Sequence, residues 1–300
     1  MDRQLIWTYG DAQLVFSADL SGALYMDFNA FQPNFVSGEY DRKTIARVDG
    51  SYLSGAAIGN RRICFRATLL AYNIGFKTRP VETVIDEYKQ LLCDAFNPRL
   101  VGRLTYRTTT GTYYVEATPD AVPTFEEIVG STLAFAVELT ADMPYWQSDI
   151  LHRTDVGMTS PMANLPTALP FSPGSIVSVV GTATNKTHND IYPIVRFNAS
   201  ARPVVLRNMR TGQTLQLNSG VSDGYYVEID TADTKQTVTL WRETDSGEYE
   251  EIENVTHWLT VESDAAFVIV PGSNTLIVDN VTAASEPAVS VFWRDRWLGV

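Results

Sequence analysis

What this chain of 300 residues lacks narrows its identity first. It has two cysteines, Cys64 and Cys93, and three histidines, at 152, 188 and 257. Two thiols cannot make a disulfide framework, and histidines so scattered do not complete a four-ligand zinc site. Both thiols are expected to be reduced and buried. No run of about 18 apolar residues exists, which argues against a membrane-spanning helix, so no membrane partner is expected. The opening MDRQLIWTYGDAQ lacks the apolar stretch and cleavage site of a signal peptide, so synthesis in a cytoplasm without export by the general secretory route is expected. Basic residues are also in short supply, 23 against 35 acidic ones for a net charge of −12. Such a surface repels phosphate backbones and excludes a protein built to grip nucleic acid. There is no G-x-S-x-G, no Walker A sequence and no G-x-G-x-x-G. No catalytic residue, cofactor or metal ligand is assigned, and an enzyme is not expected.

What is present is mostly strand. In Thr132 to Trp146, TLAFAVELTADMPYW, the residues Leu133, Phe135, Val137 and Leu139 alternate with smaller or polar ones, the period of a strand burying one face. Pro144 ends that ladder because it has no N–H to donate and holds Met143 extended. Leu5 to Phe28 predicts an opening meander, and residues 29–60, rich in Gly, Asn, Asp and Ser, a long loop or loose hairpin with a turn at Asp49-Gly50. Loops of that length are usually functional or ordered by a partner. A strand over Ile63–Ala71 precedes the clearest helix, Pro80 to Phe96, whose Val81, Val84, Ile85, Tyr88, Leu91, Leu92 and Ala95 form one stripe. Gly102–Thr108 and Thr112–Ala117 predict a hairpin.

After Trp146 the texture changes. Residues 147–180 hold four prolines and no helical period, which predicts a linker or an extended covering segment. From Tyr192 to Val300 short strands alternate with turns, among them PIVRF, VVLRN, YYVEID, QTVTLW, FVIV, NTLIVDN and AVSVFW, the pattern of an antiparallel sandwich or jelly roll. The fold class is therefore mainly β: a first β domain with one helix over 1–148, a linker and the beginning of the second domain over 149–190, and a β-sandwich over 191–300.

Two adjacent carboxylate pairs, Glu126-Glu127 and Glu250-Glu251, are poorly placed for glycoside hydrolysis, since neighbours on a strand point to opposite faces. Aromatics are the more informative class. Tyr225, Tyr226, Trp241, Tyr249, Trp258, Trp293 and Trp297 crowd the second half, where such side chains serve a core or a binding surface.

The order of parts resembles the distal tail proteins of long-tailed bacteriophages. The resemblance rests on the Asp49-Gly50 and G-N-R-R-I element up to Ile63, the G-R-L-T-Y hairpin and the strand ending in Pro144-Tyr145-Trp146. In the second half it rests on R-N-M-R-T-G-Q-T-L from Arg207, Y-V-E-I-D-T from Tyr226, P-G-S-N from Pro271 and the closing W-R-D-R-W-L-G-V. It implies a tail-tube-like first domain that assembles into a hexameric ring continuing the DNA channel, and a galectin-like sandwich projecting outward. Implied partners are further copies of the chain, the tail tube protein, a tip hub or tail-associated lysin protein and a receptor-binding protein, with DNA passing through unbound. The implied location is the virion's tail tip. The residues expected at interfaces are Asp49, Gly50, Tyr52, Tyr145, Trp146, Trp293 and Trp297. The alternative is a carbohydrate-binding sandwich protein acting in host-surface adhesion.

Overall fold

The computed structural model describes residues 3–33, 35–44, 49–74, 79–161, 175–178, 180–199, 203–232, 236–244, 246–279 and 287–300, with the backbone alone over 158–161 and 175–178. The chain divides into two units, residues 1–149 with 297–300, and residues 150–296.

In the first unit the strands are β1 (Gln4–Tyr9), β2 (Ala12–Ser17), β3 (Leu24–Tyr25), β4 (Val36–Thr44) and β5 (Ser51–Leu70). After helix α1 (Val81–Ala95) come β6 (Gly102–Arg107), β7 (Thr112–Pro119), β8 (Thr124–Val129), β9 (Thr132–Ala141) and β10 (Trp146–Ser148). Hydrogen bonding runs β7-β6-β1-β2-β3-β5-β9 and then returns to its start, because Thr118 and Pro119 of β7 pair with Thr140 and Leu139 of β9. The sheet is thus closed into a barrel. Closure covers the ends of two strand edges, the rest of which are paired with β10 on β7 and with β8 on β9. The ladder between β5 and β9 is continuous from Arg61↔Ala141 to Leu70↔Thr132. Its inward set is Ile63, Phe65, Ala67 and Leu69 against Leu133, Phe135, Val137 and Leu139, all buried.

Helix α1 shares that core. Val84, Ile85, Leu92 and Ala95 are buried, whereas Leu91, expected in the stripe, is exposed. The Trp7 indole N–H donates to the Ala95 carbonyl at 2.8 Å, and its ring stacks on Phe96 with centroids 5.4 Å apart. Gly102 is required beside them: a Cβ there would lie 2.4 Å from the Trp7 ring. The cysteines differ from expectation, Cys64 being exposed and Cys93 half-buried. Cys64 alternates with the inward Ile63 and Phe65, so the strand's period turns its thiol outward.

In the second unit the strands are β11 (His152–Val156), β12 (Met158–Pro161), β13 (Ser175–Ser178), β14 (Val180–Asn185), β15 (Ile194–Phe197), β16 (Val205–Asn208), β17 (Thr214–Gln216), β18 (Tyr225–Asp230), β19 (Thr237–Glu243), β20 (Tyr249–Asn254), β21 (Gly272–Asp279) and β22 (Val289–Trp293). A six-stranded sheet, β11-β22-β15-β18-β19-β20, faces a four-stranded one, β14-β21-β16-β17, while β12 and β13 pair separately. Val195, Phe197, Val227, Ile229, Val289 and Val291 meet Ala183, Leu206, Leu215, Leu276 and Val278 in one core. This is an antiparallel sandwich. In a final short strand, β23 (Arg296–Trp297), the chain passes at Trp297 into the four closing residues that belong to the first unit.

Two local expectations change, and one strand was not expected. Within 147–180, read as a linker or an extended covering segment, β11 is paired along its whole length and β12 pairs with β13, while 162–174 and 179 lie outside the described residues. FVIV makes only an isolated bridge, Ile269 to Ile191. Its Phe267 and Ile269 are nevertheless fully buried, so apolar content marked burial and not pairing. The polar YEEIEN segment, by contrast, is strand β20, exposed along its length at the sheet edge.

Candidate assembly surfaces

Strand β5 is 20 residues long, and its two halves have different partners. Arg61–Leu70 belongs to the barrel, whereas Ser51–Ile58 pairs only with β4, from Thr44↔Ser51 to Gly38↔Ile58. Both strands of this arm are exposed on both faces, from Ser37 to Thr44 and from Ser51 to Ile58. Eight extended residues reach about 26 Å at 3.3 Å each. The long loop expected at 29–60 is therefore, in its described part, mostly a two-stranded arm.

The arm carries apolar cargo that a solvated hairpin does not need. Tyr40, Tyr52, Leu53 and Ile58 are 62%, 51%, 53% and 39% exposed. Glu39, Asp41, Arg42 and Lys43 supply charge of both signs, with Arg42 lying over the Tyr40 ring. Asp49 and Gly50 are exposed at its tip, and Gly50 has φ of +102°, a turn conformation that favours glycine. An isolated two-stranded hairpin is marginally stable in water, which gives such an arm a reason to seek a cover.

A second cluster is interior. Trp146 is fully buried, donating its indole N–H to the Pro33 carbonyl at 3.2 Å and packing on Tyr106. Over its ring lies the guanidinium of Arg61, itself with no exposed surface. Arg61 Nε donates to the Pro144 carbonyl at 2.7 Å, Nη2 to the Leu298 carbonyl at 2.6 Å, and Nη1 to the Pro33 carbonyl. One side chain thus ties the strand to the turn before β10, to the loop at Pro33 and to the chain's last residues. Burial pushes the Arg61 guanidinium down to about 10, still far above neutrality. Trp297 and Val300 pack, half-buried, on the same core.

The expected interface residues therefore separate. Asp49, Gly50 and Tyr52 come together on the arm; Trp146 and Trp297, with the half-buried Tyr145 nearby in sequence, serve the first unit's interior; Trp293 is buried in the second unit, stacked on His152. Arg61, Tyr40, Leu53 and Ile58 were missed. Arg61 could have been found by continuing the inward alternation of Ile63 and Phe65 back by two. Among the described residues no group of three His, Cys, Asp or Glu side chains is placed to hold a metal ion, and no helix is long and apolar enough to cross a membrane.

No protein-family model matches this chain, and no curated protein sequence does. Solved structures do. The Dit (gp 19.1) protein of phage SPP1, described as a paradigm of the hub adsorption apparatus in phages infecting Gram-positive hosts, superimposes with a TM-score of 0.61 and 13% identity. That match covers 98% of this chain and 99% of the other. Chains of the phage P2 baseplate in its activated conformation, with Ca and with Sr, give TM-scores of 0.55 and 0.54 at 12% identity over 99% or more of both chains. The chain has the fold of these baseplate proteins. At such identities the likeness is one of backbone, and it runs through both units.

Proposed function

We propose that this protein is a structural component of a phage tail tip, in which six copies close into a ring that joins the tail tube to the tip hub and continues the DNA channel. The observation that carries this reading is the end-to-end likeness to a phage hub protein, which spans the barrel, the sandwich and the connection between them. A shared single domain would be far less specific, since common folds host many functions.

The exposed arm supports the ring. A subunit that lays an arm on its neighbour makes a head-to-tail contact, and such contacts form a closed ring when the rotation per subunit divides a full turn. Fully burying a Leu or Ile side chain contributes about 2 kcal/mol, so Leu53 and Ile58 supply a useful part of such a contact. The net charge of −12 suits a channel through which DNA slides without sticking, with a lumen of acidic or neutral side chains. The ring's faces would meet the tube protein and a hub or lysin protein, and its periphery a receptor-binding protein.

Immunogold labelling of intact virions with antibody to the purified chain tests the location. Gold at the distal end of the tail is expected; gold confined to heads, or labelling only of lysate protein outside virions, would refute the proposal.

A further inference from the structure

The sheet of the first unit has a break on one side of strand β5. Strand β9 pairs with β5 without interruption from Arg61 to Leu70. On the other side β3 pairs only at Thr68 and Leu69, and β4 reaches only to Arg61. From Arg62 to Ala67 no strand among the described residues lies beside β5 there. The chain after β3 stands across this break and walls a groove of about 490 Å³, with Ala30 and Phe31 on one side and Cys64 and Arg66 on the other. Ala30, Cys64 and Arg66 are exposed. A gap of this kind can take an extended segment from another chain.

The groove is negative. The Arg66 guanidinium is taken by Glu126, which leaves the exposed Asp27 and Glu138 of the lining to set the sign. Desolvation first, and then Glu138 and Asp120, raise the Cys64 thiol, so the same field reaches that side chain. The arm carries the complement on one face. Arg42 lies 5.8 Å from the centre of the Tyr40 ring and is paired across the hairpin with Leu53, so a cation, an aromatic ring and an aliphatic side chain point the same way. The arm does not reach the groove of its own chain. Leu53 and Cys64 lie on one continuous strand, about 36 Å apart at 3.3 Å per residue.

We infer that this groove receives the arm of a second copy of the chain, Leu53 and Tyr40 entering it and Arg42 meeting Glu138 and Asp27. The contact rests on the ring proposed above and fixes where each arm lands. Burial of the two apolar side chains supplies attraction, and the charges set the register. The groove begins where β5 leaves its own arm, so a subunit that has accepted one arm offers the next from the same strand. That is the head-to-tail repeat a closed ring needs.

The exposed thiol in the groove supplies the test. The full chain with Leu53→Cys and Cys93→Ser is treated with a short bismaleimide under conditions where light scattering shows assembly, with the tail tube protein added if the chain alone stays monomeric. Denaturing gels are expected to show covalently linked species of up to six chains, all absent once Cys64→Ser is added. Tyr40→Cys, on the same face of the arm, gives a second linking position if Leu53→Cys weakens assembly. Glu138→Arg is expected to cut the linked fraction at least about fivefold, although removing that carboxylate makes the thiol more reactive, and Arg42→Glu in the same chain to restore it. Assembly without linkage at either position overturns the inference and leaves the ring standing. Linkage that stops at two chains means reciprocal exchange of arms and overturns the head-to-tail placement. A wild-type chain that does not assemble overturns both the placement and the ring.

Discussion

A buried cation is costly, and Arg61 meets that cost with three carbonyl acceptors aimed at its planar fork. The geometry is specific to arginine. A lysine ammonium is a compact donor that cannot span acceptors from three segments. Arg61→Lys is therefore expected to lower the unfolding free energy by about 2 kcal/mol, read from denaturant midpoints. An unchanged midpoint would show that the three contacts contribute nothing. Because burial lowers the folded-state value to about 10, charging of Arg61 opposes folding below that pH and adds no pH dependence near neutrality. Cys64 carries the opposite lesson about exposure. Desolvation, then the negative charges of Glu138 and Asp120, raise its thiol above the ordinary range. A raised value means less thiolate at any given pH, so labelling by a thiol reagent at pH 8 is expected to be slower than for a free thiol, and Glu138→Gln to accelerate it. Equal rates in the two proteins would remove Glu138 as a cause. Both side chains follow from the alternation of one strand, 61, 63 and 65 inward with 64 outward. Only their environments required the fold.

At the scale of elements, local pattern served where a segment's partner is its neighbour in sequence. Helix α1 and the hairpin of β6 and β7 lie within a residue or two of where stripe and turn chemistry place them. Barrel closure was not legible, because it depends on two residue pairs between β7 and β9, which no periodicity encodes. The arm was half legible. Its turn at Asp49-Gly50 was visible, but its strands lack an apolar face, since both sides await water or a partner. Replacing Tyr52 and Leu53 by Asp tests what the arm is for. These residues are exposed, so the monomer's stability should stay within about 0.5 kcal/mol of wild type, while assembly into larger species is lost. Retained assembly would mean that the arm is not the contact.

At the scale of the whole molecule, a barrel and a sandwich each have their own core, and the last four residues return to the first. That order of parts, not any single motif, linked the sequence to phage tail proteins, and the backbone likeness extends over the same length. Neither could reveal the stacked row of Arg153, Phe292, Arg196, Tyr226 and Trp241 on the six-stranded sheet, whose members lie up to about 140 positions apart and meet only through strand order. The most direct test of the account is the mass of the purified chain in solution, by light scattering, with negative-stain images of the same peak. The account predicts a closed ring of six times the single-chain mass with a central hole, reduced to monomer by the two arm substitutions. A wild-type chain that remains monomeric at high concentration, and in the presence of the tail tube protein, would contradict it.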